Sequence, residues 1–261
     1  VDGVSFSGGQ GRDAWLVVNP GAADHPRTLL LQLIQPTTGE LFFRGEPILG
    51  VSGAAMKRLR RDMQIIFQDP YSSLNPRMTV GRIIASGLAI QAWARRRNGW
   101  TPPASSWTGW GSYPITSTVF PTNSAAGSVS ALHRPRLSVH PQLIVADEPV
   151  SALDVSIQAQ IINLFVRLQQ EHSLTYIFIS HDLGVVRHMC DRIAVMYLGR
   201  IVELAPRDAF YRTSTTLSRA LLSAVPSATV GTKKQRIMME GDVPSPLRIP
   251  PGCSFHTRCF R

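Results

Sequence analysis

The sequence has few cysteines and no hydrophobic run long enough to cross a membrane. Its 261 residues include three cysteines, Cys190, Cys253 and Cys259, which are too few for a disulfide scaffold and agree with a reducing compartment. No apolar run reaches the roughly 18 residues that a membrane-spanning helix requires, and we expect no signal peptide. The composition therefore predicts a cytosolic protein that reaches a membrane only through partners.

Acidic residues are absent from a long internal stretch. Between Pro70 and Ala146 there is no Asp or Glu, and four of the five tryptophans lie in the same interval. The formal net charge of +10 would by itself favour a nucleic-acid-binding protein. Because the excess of positive charge is local, we expect no nucleic-acid partner and keep that class only as an alternative.

The stretch from Leu143 to Asp154, which reads L-I-V-A-D-E-P-V-S-A-L-D, indicates a chemical site. Four apolar residues followed by two acids predict a buried parallel strand whose charge emerges at its carboxyl end. Ligands of open α/β sheets bind at such ends. Asp147 is therefore placed to hold a Mg²⁺ ion, and Glu148 to polarise a water for attack on a phosphate. On these residues alone, a purely structural strand end is an equal alternative.

A second apolar strand is predicted from Thr175 to Ser180, and His181 follows it directly. A histidine after a buried strand, close to a D-E pair that ends another strand, is typical of phosphoryl-transfer sites. Between the two strands, residues Val155 to Glu171 have apolar side chains on one helical face. This pattern predicts an amphipathic helix packed on the sheet.

Taken together, these motifs resemble those of a known family. D-E-P-V-S-A-L-D followed by I-S-H-D resembles the Walker B motif, D-loop and H-loop of ABC transporter ATPases. Gln64 to Pro76 (Q-I-I-F-Q-D-P-Y-S-S-L-N-P) resembles the Q-loop of the oligopeptide and dipeptide importers in that family. Met196 to Glu203 and Gly241 to Cys259 resemble the later strands and the C-terminal extension of the same subfamily.

The resemblance implies an α/β fold with a P-loop NTPase-like ABC ATPase core and a mostly parallel sheet. It implies an ABC ATPase domain over residues 1–205, which is degenerate at 11–27 and at 95–136. The second of these segments disrupts the helical subdomain. Residues 206–261 are expected to form the C-terminal extension of peptide importers.

The resemblance also implies a role for five residues. Asp147 would bind Mg²⁺, Glu148 would orient the attacking water, and His181 would contact the γ-phosphate of ATP. Gln68 would sense the metal and couple it to the membrane subunits. Asp154 would contact the partner ATPase subunit. The expected cofactors are ATP and Mg²⁺.

The function implied is that of an ATP-binding, energy-coupling subunit of a peptide importer, with impaired activity. Expected partners are a second ATPase subunit in a homo- or heterodimer, two membrane permease subunits, and a periplasmic or extracellular peptide-binding protein. The expected location is peripheral, on the cytoplasmic face of the cell (inner) membrane. The alternative is a non-catalytic, pseudogene-like product or scaffold of the same family, and whether the chain is an active ATPase stays open.

Two motifs of the family are missing. A phosphate loop G-x-x-x-x-G-K-[ST] holds phosphates with backbone N–H groups and a lysine, but residues 11–27 contain no glycine-rich run, and no lysine precedes Lys57. Pro20 and Pro26 also disfavour the helix that should begin there. Residues 95–136 lack the S-G-G-Q signature and have neither helical nor strand periodicity.

Both motifs are recovered in another reading frame. Permitted codons for Val17 to His25, read from the third base, give G-E-S-G-C-G-R-S, which is close to the phosphate loop. The same shift over Thr118 to Leu132 gives R-F-P-H-E-F-S-G-G-Q-R-Q-R-I, which contains the signature. Since both recoveries have the same offset and the required position, we infer that frameshifts, real or from sequencing, altered these segments.

The last residues carry possible metal ligands. Cys253, His256 and Cys259 lie close together in sequence, but two thiols and one imidazole are an incomplete set for a metal. Related importers carry further cysteines, some with an iron–sulfur cluster. We therefore expect no iron–sulfur cluster at Cys253 and Cys259.

Overall fold

The computed structural model describes most of the chain outside its central segment. The described residues are 1–9, 14–18, 24–68, 75, 77–79, 82–83, 86, 140–151, 153–212, 215–224, 237–239, 241–245 and 248–260. The degenerate segment 11–27 lies partly outside these residues. Most of residues 79–93, which resemble the first helix of the helical subdomain of ABC ATPases, and all of segment 95–136 also lie outside the described residues.

The helices and strands alternate along much of the chain, as in α/β folds. In chain order they are β1 (Ala14–Val18), α1 (Asp24–Leu30), β2 (Phe42–Phe43), β3 (Glu46–Pro47), α2 (Gly53–Asp62), β4 (Met63–Ile66), β5 (Leu143–Asp147), α3 (Val155–His172), β6 (Thr175–Ile179), α4 (Leu183–Met189), β7 (Arg192–Tyr197), β8 (Arg200–Pro206), α5 (Arg207–Arg212) and α6 (Thr216–Ala224), followed by a 3₁₀ turn (His256–Arg258).

The chain divides into two compact units. Unit 1 comprises Val1–Gly9, Asp13–Pro26 and Ile177–Arg261, and unit 2 comprises Gln10–Arg12 and Arg27–Tyr176. Strand β6 and helix α1 each cross this division. The division does not address the predicted boundary between an ATPase domain and an extension, which stays a prediction.

Unit 2 contains the strand order β4-β5-β6, of which β6 contributes its first two residues. Strands β4 and β5 are parallel, with Met63 opposite Leu143 and Ile66 opposite Ala146. Helix α3 turns one apolar face inward, because its apolar residues recur at helical spacing. Its buried side chains are Ile161, Leu164, Phe165 and Leu168. The ring of Phe165 packs 5.6 Å from that of Tyr176, measured between centroids.

Unit 1 contains the strand order β6-β1-β7-β8. Strand β7 pairs in parallel with β1 and antiparallel with β8. All of β7 except its first residue is buried, as expected for a strand in the interior of a sheet. At its end, the ring of Tyr197 meets Phe255 edge-on at a centroid distance of 5.6 Å. This contact fixes the C-terminal residues to β7.

Most sequence predictions of helices and strands are confirmed, and two are wrong. Residues Val1 to Phe6, whose sequence V-D-G-V-S-F resembles the early strand of the ABC ATPase core, have no strand structure. Helix α1 forms although Pro20 and Pro26 were expected to disfavour it. Pro26 is the third residue of this helix, and N–H groups of the first turn have no helical partner to lose.

The described helices include none that is both long and apolar enough to cross a membrane.

Candidate functional site

The site is built on the carboxyl ends of β4 and β5. All five residues of β5 are buried, so the strand fixes the position of its last residue, Asp147, which is 2% exposed. Extending the parallel register by two residues from Ile66 and Ala146 places Gln68 opposite Glu148. The polar residues that follow both strands therefore lie at one edge of the sheet.

Gln68 and Glu148 are in direct contact there. The Gln68 Nε2 atom donates a hydrogen bond of 2.7 Å to Glu148 Oε2. Gln68 is exposed and Glu148 is half-buried, so both are accessible from solvent. This contact leaves the amide oxygen of Gln68 available as a ligand atom, because only its NH₂ group is used as the donor in this bond.

The backbone at Glu148 has an unusual conformation. Its φ angle is +44°, a left-handed value that costs a non-glycine residue roughly 1–2 kcal/mol. The carbonyl of Glu148 accepts hydrogen bonds from the backbone N–H of Ser151, at 3.1 Å, and from its hydroxyl, at 3.0 Å. This turn holds the carboxylate of Glu148 at the edge of the sheet, where it reaches Gln68.

Asp147 pairs with a residue that the sequence did not single out. The Arg27 Nη1 atom forms an ion pair with Asp147 Oδ2, and the two side chains are 20% and 3% exposed. The other carboxylate oxygen, Oδ1, is buried without a hydrogen-bond partner. A buried carboxylate requires a cation partner. The apolar run before Asp147 predicts its burial, so the sequence could have predicted that a partner exists, but not which residue it is.

Gln158 is a second residue that sequence analysis missed. From α3, its Nε2 group donates to the carbonyls of Val150, at 3.0 Å, and Leu153, at 2.9 Å. These are backbone atoms of the loop that joins β5 to α3, so Gln158 fixes the shape of that loop. An amide side chain early in an amphipathic helix gives no sequence signal for such a role.

Two predicted site residues, Asp154 and His181, lie next to other elements. Asp154 precedes α3 at its N-cap position, but its side chain makes no capping hydrogen bond and is exposed. Val155, the next residue, is 81% exposed. His181 belongs to unit 1, where it is exposed after β6. Its neighbour Asp182 caps α4 by accepting from the Gly184 N–H at 2.8 Å.

The donor chemistry at the strand ends suits Mg²⁺, with one obstruction. Carboxylate and amide oxygens are ligands that Mg²⁺ prefers, and the unpartnered Oδ1 of Asp147 is an oxygen that a cation would satisfy. Oδ2 of the same carboxylate already contacts the Arg27 guanidinium. The described residues contain no group of three or more His, Cys, Asp or Glu side chains arranged to hold a metal.

The cysteines have separate environments. Burial, with a smaller contribution from Asp191, raises the pKa of the Cys190 thiol well above its usual value, so this residue is a protonated core thiol at neutral pH. Cys253 is exposed and Cys259 is partly exposed. Near them, His256 Nδ1 lies 2.7 Å from the carbonyl oxygen of Cys253, which engages one ring nitrogen in the local turn.

Comparison with known proteins identifies relatives over almost the whole chain. Residues 202–261 match a family described as "Oligopeptide/dipeptide transporter, C-terminal region". A putative peptide import ATP-binding protein of Brucella ovis is 43% identical over 262 residues, covering 99% of this chain and 83% of that protein. The dipeptide transport ATP-binding protein DppF of Escherichia coli is 40% identical over 264 residues, covering 100% of this chain and 79% of the relative.

One solved structure is similar in fold. CbiO1 from Clostridium perfringens, described as part of the ABC transporter complex CbiONQ, superposes with a TM-score of 0.63. The match covers 84% of this chain and 87% of CbiO1, at 21% sequence identity. At this level of identity the likeness concerns the fold alone, and it confirms the predicted α/β, P-loop NTPase-like fold class.

Proposed function

Because the chain belongs to the family of ATP-binding proteins of ABC-type oligopeptide and dipeptide importers, we propose that it is an ATP-binding, energy-coupling subunit of a peptide import system. The observation that carries this proposal is the pairing of Gln68 with Glu148, directly beside the buried carboxylate of Asp147. An acceptor for a water proton and oxygen ligands for a cation are thus concentrated at the edge of a parallel sheet, where α/β proteins bind ligands.

In this proposal each residue has a distinct task. The carboxylate of Glu148 accepts a hydrogen bond from the water that attacks the γ-phosphate and orients it. The oxygens of Asp147 and Gln68 would hold Mg²⁺, which when bound would neutralise charge on the phosphates. His181 donates a hydrogen bond to the γ-phosphate. Gln68 would also couple the site to the membrane subunits, and its 2.7 Å hydrogen bond connects it to the carboxylate of Glu148 on the other side.

We propose a second ATPase subunit, two membrane permease subunits and an extracellular or periplasmic peptide-binding protein as partners. The protein would then lie on the cytoplasmic face of the cell membrane. The exposed, uncapped carboxylate of Asp154 supports the contact with a second ATPase subunit, as does the 81% exposure of Val155 beside it. A polar group and an apolar side chain exposed side by side are suited to a protein interface.

A non-catalytic scaffold of the same family is the second candidate. The observation that favours it is the absence of G-x-x-x-x-G-K-[ST] from residues 11–27 and of S-G-G-Q from residues 95–136. Backbone amides and a lysine of the phosphate loop supply most phosphate contacts in P-loop proteins. The chain as written is therefore expected to bind ATP weakly or not at all.

Calorimetric titration with Mg-ATP tests this proposal. We expect no low-micromolar binding by the unaltered chain. We expect it to appear when Val17 to His25 is replaced by G-E-S-G-C-G-K-S, in which the lysine of the phosphate loop stands in place of the arginine of the recovered segment. We expect it to fall after Asp147→Asn in the replaced chain. Asp208→Asn, which changes an exposed carboxylate, is the matched control. A folded chain with the replaced segment that still does not bind ATP would contradict the proposed function.

A further inference from the structure

We propose that Arg27 is an internal competitor for the metal site, whose guanidinium must leave Asp147 before a divalent cation can bind there. The inference rests on the proposed metal-binding role of Asp147, but it does not depend on ATP binding or hydrolysis. It concerns two residues of unit 2, one on α1 and one at the end of β5, which are 120 positions apart in the sequence (147 − 27).

The first support is the position of the charge. Asp147 ends a fully buried strand, and its side chain is 3% exposed. An ionised carboxylate in such a place is strongly destabilised unless a positive charge neutralises it. The guanidinium of Arg27 supplies that charge by pairing with Oδ2 of Asp147. In the absence of metal, the pair therefore stabilises the folded protein.

The ion pair uses only one of the two carboxylate oxygens of Asp147. An arginine that only stabilises a carboxylate is commonly bidentate, with two parallel N–H···O bonds. In this pair Oδ1 of Asp147 remains buried without a hydrogen-bond partner. Such an oxygen is energetically unfavourable, and a compact cation that contacts it would remove the penalty.

The third support is electrostatic. A guanidinium and a divalent cation on the same carboxylate repel each other strongly at close distance in a partly buried site. Because the Arg27 side chain is 20% exposed, it has access to solvent into which the guanidinium can move. Metal binding and the Arg27–Asp147 pair are therefore alternatives at this carboxylate.

The first test uses Mn²⁺ alone, without nucleotide, and measures free Mn²⁺ by electron paramagnetic resonance. We expect Arg27→Gln to bind Mn²⁺ at least about tenfold more tightly than the unaltered chain. Arg61→Gln is the matched control, since Arg61 forms an ion pair with Asp62 at 2.9 Å, and it should leave affinity unchanged. In Arg27→Gln/Asp147→Asn the gain should disappear. Equal affinity of Arg27→Gln and the unaltered chain, or a gain that survives in the double variant, overturns the proposal.

The second test covers the case in which Arg27→Gln does not fold. The Nε–H signals of arginine side chains in the unaltered chain are followed by NMR during a Mg²⁺ titration. We expect the Arg27 signal to move towards that of a solvated guanidinium, and the Arg61 signal to stay in place. An Arg27 signal that does not move at any Mg²⁺ concentration overturns the proposal. Because neither test contains ATP, a failure of the proposed nucleotide function is measured separately, by the calorimetry above.

Discussion

Gln68 donates from Nε2 to Oε2 of Glu148 over 2.7 Å, although the two residues are 80 positions apart in the sequence. The contact follows from the parallel register of β4 and β5, since Ile66 pairs with Ala146 and Gln68 and Glu148 each lie two residues beyond that pair. The register of two buried strands therefore determines which polar side chains meet at the edge of the sheet.

A double-mutant cycle on this pair should give a small, favourable coupling. We expect Gln68→Ala and Glu148→Ala to couple by about 0.5–1 kcal/mol in the free energy of unfolding, because a hydrogen bond to a charged group is stabilising but Gln68 is exposed. Urea unfolding of the four proteins gives the value. Lys57→Ala, at an exposed position on α2, should not couple to Glu148→Ala. Zero coupling between Gln68 and Glu148 would mean that the hydrogen bond is not formed in solution.

Replacing Gln158 should loosen the loop between β5 and α3. Gln158→Ala removes both hydrogen bonds to the carbonyls of Val150 and Leu153, and we expect a loss of about 1–2 kcal/mol in the free energy of unfolding. Hydrogen exchange should become faster at the amides of Ser151 and Leu153. The matched control is Gln160→Ala, at an exposed position of the same helix. Equal effects of the two substitutions would argue against the role of Gln158.

The elements that the sequence predicts well are those with a clear hydrophobic pattern. The apolar run in L-I-V-A-D predicts a buried strand, and all five residues of β5 are buried. The spaced apolar residues of Val155–His172 predict α3. Pro20 and Pro26 were expected to disfavour a helix here, yet α1 begins at Asp24, and Pro26 is tolerated because it lies in the first turn. The spacing of apolar residues indicates which face of a helix is buried. The exact start of a helix depends on which backbone N–H groups need hydrogen-bond partners.

The site contacts divide in a similar way. The motif D-E after an apolar strand predicts that Asp147 and Glu148 lie at the end of that strand, and the structure has them there. The roles of these residues stay predictions. The partner of Asp147 is Arg27, and nothing in the spacing of these two residues predicts their contact. Such a pair depends on tertiary packing, and only the rule that buried carboxylates need cations indicates that a partner must exist.

The free energy of unfolding should fall at alkaline pH, because the pKa values of a cysteine thiol and a tyrosine hydroxyl are raised by burial. Burial raises the pKa of Cys190 above its ordinary value of 9.0, and burial raises that of Tyr211 from 10.0 to about 12. A group whose pKa is higher in the folded state stabilises it fully below the unfolded pKa. That contribution is lost as pH rises towards the folded pKa. For Cys190 the loss is up to about 1.4 kcal/mol per pH unit above the unfolded value.

Urea unfolding at about pH 7.5 and at about pH 10.5 measures this dependence. Cys190→Ala should lower stability at both pH values, because it leaves a cavity in the core, but it should reduce the difference between them. Cys253→Ala, at an exposed position, should leave the difference unchanged. An unaltered pH difference in Cys190→Ala would show that this thiol ionises equally in the folded and unfolded states.

Glu148→Gln should separate binding of ATP from its hydrolysis in a protein with both degenerate segments replaced. The substitution keeps the charge of Asp147 but removes the carboxylate that is proposed to orient water. We therefore expect ATP affinity to stay within about threefold and phosphate release to fall at least about a hundredfold. Calorimetry and a phosphate-release assay measure the two quantities. Glu171→Gln, on an exposed carboxylate of α3, is the matched control and should leave both unchanged.

We expect ATP hydrolysis only when both degenerate segments, in residues 11–27 and 95–136, are restored in the same dimer. ATP sites of ABC ATPases form between two subunits, with the phosphate loop from one subunit and the signature from the other. In a homodimer of the present chain each site therefore lacks both halves. Replacing residues 17–25 alone leaves every site without a signature, and replacing residues 118–132 alone leaves every site without a phosphate loop.

Steady-state phosphate release from four proteins measures this requirement: the unaltered chain, each single replacement, and the double replacement. We expect hydrolysis above background only in the double replacement, since charge stabilisation of the transferred phosphoryl group needs donors from both subunits. A mixture of the two single replacements is the informative control. It can form heterodimers with one complete site, so it should recover part of the activity, whereas neither component does so alone. Robust hydrolysis by the unaltered chain would show that other residues hold the phosphates, and that residues 11–27 and 95–136 are not the cause of a defect.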